Sequence, residues 1–94
     1  MIMTLVMING AEIIGRHVKT DENSITIYKP RLVQATQQGV GLVNGICMTG
    51  KEVDGEFDFQ KHSVAYMVET MKELADGWTK QTSGIEVAPK GIIL

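Results

Sequence analysis

The chain has 94 residues, 44% of them hydrophobic, with Lys+Arg 9 against Asp+Glu 11 and a formal net charge of −2. That length suits one small domain, which buries only about 60–65% of its extended-chain surface and gains from oligomerisation. The lone cysteine, Cys47, excludes an intramolecular disulfide framework and fits a reducing compartment. The acidic balance excludes a chain-wide basic surface, so any nucleic-acid footprint has to be local.

The opening run MIMTLVMI has no basic flank or cleavage pattern and is too short for a membrane span or a signal peptide. Within it, Met3–Ile8 reads as a strand. Asn9-Gly10 follows, a pair that tolerates φ > 0 and marks a hairpin. Ala11–Thr20 is the returning strand. Its Gly15 predicts a bend or bulge, because a mid-strand glycine packs nothing and costs backbone entropy. Asp21-Glu22-Asn23 is the next turn, where Asp and Asn can bond their own backbone. Ser24–Lys29 alternates, with Ile25 and Ile27 against Thr26 and Tyr28. A long strand bent at a glycine is how a short meander curls into a small barrel.

Pro30 lacks a ladder donor and predicts a break, past which Leu32-Val33 continues the strand. Residues 35–39 read as a polar turn. Val40–Met48 is a further strand interleaved with Gly41 and Gly45, and Thr49–Gly55 a charged loop. Glu56–Gln60 alternates, which places Phe57 and Phe59 in the core. Val64–Val68 fits a strand, although Val64, Met67, Met71, Leu74 and Trp78 also fit a helical stripe. Thr70-Met71-Lys72-Glu73 has the spacing of a capping box and divides the two. A helix is therefore expected within 70–83, opening at Met71, with Met71, Leu74, Ala75 and Trp78 inward. Gly77 weakens it by about 1 kcal/mol relative to Ala, and Gly84 is its expected stop. The tail Ile85–Leu94 alternates and is expected to add a strand or dock as an arm.

Two stretches resemble the motifs of Sm-like proteins, the Sm, LSm and Hfq group, the first without a gap as far as Asp21, after which its loop to Asn23 is shorter than the usual pattern. Their first motif runs apolar strand, Gly, four residues, Gly, five residues, Asp, then Asn; here these are Gly10, Gly15, Asp21 and Asn23. Their second motif pairs an Arg-Gly turn with a β-run, and Gln60-Lys61-His62-Ser63-Val64-Ala65-Tyr66-Met67 lies over it. Val64, Tyr66 and Met67 match, whereas Gln60 and Lys61 stand in place of Arg and Gly. The chain is also similar to small marine-phage proteins with an Sm-like core that open on such a hairpin and end on a helix. The resemblance implies a mainly β fold over residues 1–94, a small, strongly bent five-stranded antiparallel open barrel with a C-terminal helix. Residues 1–68 would form the barrel strands, 70–83 the helix and 84–94 a C-terminal arm.

The resemblance further implies a cyclic homo-oligomer that holds single-stranded nucleic acid, RNA before DNA, in RNA or DNA processing or regulation. In the family, the Asn of the first motif and the Arg of the second clamp one base at a central pore. In this chain Asn23 would act with Gln60, Lys61 and His62. A ring repeats Lys61 around an axis and concentrates positive charge on a slightly acidic chain. Asn23 and Gln60 offer donors and acceptors for base edges, and His62 can stack or gain charge as pH falls. Tyr28, Lys29 and Arg31 could form a second, outer face. Neighbours are expected to pair Val40–Met48 of one copy with Val64–Val68 of the next.

Each of these residues also has a plainer reading. Polar residues on hairpin tips are commonly just solvated, and the same ring could be a scaffold, as in a phage particle, with no nucleic acid. His17 and His62 have no partner at metal-ligand spacing. Cys47 has the sequence setting of an inert buried thiol. Asp54, Glu56 and Asp58 read as the wet side of a strand. With no triad and no phosphate loop, an enzyme, a cofactor and a metal are not expected. Neither is a membrane partner. The expected location is the cytoplasm, that of a host cell if the chain is phage-encoded.

Overall fold

The computed structural model of the chain describes residues 1–43, 45–47, 49 and 55–83, together with the backbone of Ile92–Ile93. Strands β1 (Ile2–Met7), β2 (Glu12–Thr20) and β3 (Ser24–Thr36) form an antiparallel meander. After it come β4 (Gly39–Leu42), β5 (Glu56–Gln60), a 3-10 turn (Lys61–Ser63), β6 (Val64–Glu69), helix α1 (Lys72–Thr82) and the two-residue β7 (Ile92–Ile93). The chain is mainly β, with an antiparallel seven-stranded sheet that does not close, and a C-terminal helix.

Seven strands, β7 only two residues long, stand where five are expected, because β3 carries two ladders besides the one with β2. Its first half, Ser24–Tyr28, pairs with β5, and its far end, Val33–Thr36, pairs with β4. One path of five strands, β5-β3-β2-β1-β6, therefore carries β4 and β7 as a branch. The expected turn over residues 35–39 narrows to Gln37-Gln38, braced by the Thr36 hydroxyl, which accepts from Gln38 N at 3.1 Å and donates to the Gly39 carbonyl at 2.8 Å. The strand expected over Val40–Met48 stops at Leu42. Three residues on, Gly45 takes φ 82°, a conformation that favours glycine. The charged loop expected over Thr49–Gly55 and the arm Ile85–Leu94 lie largely outside the described residues.

The first hairpin follows its residues closely. Gly10 takes φ 93° and donates to the Met7 carbonyl at 2.9 Å. The β2–β3 register shifts between Ile14 and Arg16, which is the expected irregularity at Gly15. That site admits no side chain: a Cβ at position 15 would stand 2.2 Å from Ile27 Cγ2 and 3.0 Å from the Tyr28 carbonyl oxygen. β3 bends at Lys29-Pro30, where Lys29 adopts φ 51°.

Both faces of the curled sheet are apolar. Inside the curl, Leu5, Ile13, Ile25 and Ile27 are buried, with Phe59, Val64 and Met67 packed on them. On the outer face, Ile14, Leu42 and Trp78 form a second cluster with Ile2, Tyr28, Val33 and Leu74. Helix α1 is the cover of this second face. Its expected capping box does not form. Thr70 N donates to the Ile2 carbonyl, which prolongs the β1–β6 ladder, and its buried hydroxyl bonds Thr4 Oγ1 at 2.8 Å. Met71 takes the N-cap position without a side-chain bond and is exposed rather than inward. On the exposed side of α1, Asp76 hydrogen-bonds Lys72 at 2.9 Å and raises the pKa of its ammonium.

Candidate functional site

The two hairpins converge on the 3-10 turn. The β3–β5 ladder ends at Ser24 opposite Gln60, so the Asp21–Asn23 turn lies against Lys61–Ser63. The Asn23 carbonyl accepts from Lys61 N at 2.9 Å. From the other side, Ile8 N in the first hairpin donates to the Ser63 carbonyl at 3.0 Å. Backbone bonds from two hairpins thus hold a three-residue turn, which leaves the side chains of Lys61 and His62 to solvent and Ser63 half-buried. Asn23, Gln60, Lys61 and His62 are all exposed. Lys61 makes no ion pair among the described residues, whereas Asp21 in the neighbouring turn pairs with Lys19 at 3.6 Å.

Tyr28, Lys29 and Arg31 have a different setting. The Arg16 guanidinium lies over the Tyr28 ring, 4.3 Å from its centroid, and the Lys29 ammonium lies 5.4 Å from the same centroid. Lys29 fastens the helix: its carbonyl accepts from Trp78 Nε1 at 2.8 Å, and its ammonium donates to the Thr82 carbonyl at 2.9 Å. A cation on a carbonyl of the last turn also complements the helix dipole. Arg31 is buried, with Nε on Gln81 Oε1 at 3.1 Å, and Gln81 Nε2 reaches the Leu42 carbonyl at 3.2 Å. These cations join α1 to the bend of β3, and their charge is spent within the fold.

Sequence reasoning missed Arg16, Trp78 and Gln81 as parts of this joint. Arg16 could not have been found from the Asp21–Asn23 turn, because a register shift between His17 and Lys19 is what sets it opposite Tyr28. Nor could the helix contacts, since they link residues about fifty positions apart. His17 Nε2 bonds Thr20 Oγ1 at 2.7 Å, and no metal-holding cluster of His, Cys, Asp or Glu occurs among the described residues. Cys47 is exposed rather than buried. Of the described helices, none is long and apolar enough to cross a membrane.

Fold and site together define a small open β module with a helix latched to its outer face and a polar turn clamped between two hairpins. No protein-family model matches the chain, and no curated protein matches it in sequence.

Proposed function

We propose that the chain is a ring-forming, Sm-like binding module that holds single-stranded nucleic acid, RNA before DNA, on the turns around Lys61. The observation that carries this reading is the Lys61–Asn23 contact, because it brings the two resembling motifs into one exposed cluster. Assembly would use β5 and β6, each of which has a single ladder partner among the described residues. This replaces the expected use of Val40–Met48, since the second side of β4 already carries β7. β6 also exposes Tyr66 (57%) and Val68 (43%), apolar surface that a neighbour would cover.

The geometry of such pairing leads to the site. Antiparallel addition sets the C-terminal end of β5 beside the N-terminal end of β6 in the next copy. Both ends adjoin the Lys61–Ser63 turn, so the turns of neighbours would fall side by side around the ring axis. One Lys61 per copy then builds a cationic ring, with Asn23, Gln60 and His62 beside it to meet bases.

The scaffold reading draws on exposed Asp21 and Glu22 in the same turn as Asn23, and on the net charge of −2. Binding of a labelled uridine-rich oligomer at low and moderate salt separates the two. Micromolar binding that weakens with salt is expected, and Lys61→Glu should weaken it at least about tenfold without changing the assembly's size. Absence of binding by the unaltered protein at micromolar concentration would leave the scaffold reading.

A further inference from the structure

We infer that the cavity beside the Lys61–Ser63 turn receives one unstacked base of the bound strand, which deepens the nucleic-acid reading and rests on it. The cavity has a volume of about 570 Å³ and opens between the tip of the first hairpin and Ser63. Its walls include the aliphatic side chains of Met7, Ile13 and Leu32, and its size falls in the usual range for small-ligand sites, roughly 300–1,000 Å³.

Three features define the occupant. The described walls are mostly apolar, with no charged residue among the described residues that line them, so the part that enters is neutral and largely apolar in its faces. Two polar side chains lie in the lining. Asn9 uses Oδ1 to accept from Ala11 N at 3.0 Å, which leaves its amide Nδ2 available, and the Ser63 hydroxyl has no bond to any described residue. A donor amide together with a hydroxyl that both donates and accepts suits the edge of a nucleobase. Lys61 and His62 immediately precede Ser63 in the turn and are exposed. Lys61 supplies positive charge just outside the cavity, where a phosphate attached to that base would lie. Aliphatic walls, a neutral hydrogen-bonding lining and an outside cation together match a nucleotide better than a fatty chain, which would leave the Asn9 amide and Ser63 hydroxyl unused.

The test uses the full chain and a uridine-rich oligomer carrying a single 2-aminopurine. Binding should shield the 2-aminopurine emission from acrylamide quenching. Ala11→Met, which fills the cavity, should remove that shielding and weaken binding about tenfold, a loss of about 1.4 kcal/mol, with no change in assembly mass. Ser63→Ala leaves the walls intact and should give a smaller loss in the same direction, which covers the case in which Ala11→Met does not fold. Unchanged shielding and affinity in Ser63→Ala and in a folded Ala11→Met would overturn the cavity assignment, while a continuing effect of Lys61→Glu would keep the binding reading. A cavity that takes up decanoate but shields no base also overturns it. No binding by the unaltered chain overturns both.

Discussion

Trp78→Ala is expected to cost about 3–5 kcal/mol, the usual range for deleting a buried large aromatic. Trp78 is only 5% exposed and fills the outer cluster against Ile14 and Leu42. Its indole N–H also satisfies the Lys29 carbonyl at the bend of β3. The substitution therefore opens a void and leaves a carbonyl without its partner. Small domains hold about 5–15 kcal/mol in all, so a large share of the stability would go. Urea unfolding followed by circular dichroism, at one fixed protein concentration, measures the change. Trp78→Phe keeps most of the packing and loses the hydrogen bond, and should fall between the two. Equal stability of all three proteins would mean that α1 does not hold the outer face.

Gly15→Ala is the second large effect, expected at about 1–3 kcal/mol, the range for overpacking a tight site. The added methyl meets Ile27 Cγ2 first, and Ile27 is fully buried and has nowhere to turn. The next atom is the Tyr28 backbone oxygen, which belongs to the bent strand itself. Relief requires β2 and β3 to separate at the register shift beside Gly15. For a chain of this size each kcal/mol lowers the melting temperature by roughly 4–8 °C. A thermal midpoint unchanged by Gly15→Ala would show that the curl does not depend on this close approach.

The sequence was most legible where structure is local. Asn9-Gly10 specified a turn because few residues accept its φ values, and Gly10 adopts one. Alternation in Ser24–Lys29 placed Ile25 and Ile27 inside, as observed. Reading failed where a distant partner decided the outcome. Thr70 has the spacing of a helix cap, yet the ladder to Ile2 and the hydroxyl of Thr4 claim it. Lys29 and Arg31 look like free surface cations in a linear reading, and α1 occupies both. Pro30 predicts a break that Leu32-Val33 continue beyond, and β3 does run on past it, with Lys29 taking the bend at φ 51°. Of the candidate site, the grouping of Asn23 with Lys61 was implied only by the resemblance to the Sm-like motifs. The cavity bordered by Asn9 and Ser63 had no sequence signal, since only the fold brings those two turns together.

The central claim is that the open margins of β5 and β6 are sealed by further copies of the chain. Sedimentation equilibrium of the full chain at micromolar concentration tests it most directly. We expect one species at a small whole-number multiple of 10.3 kDa. A species that stays at 10.3 kDa across the concentration range would contradict it.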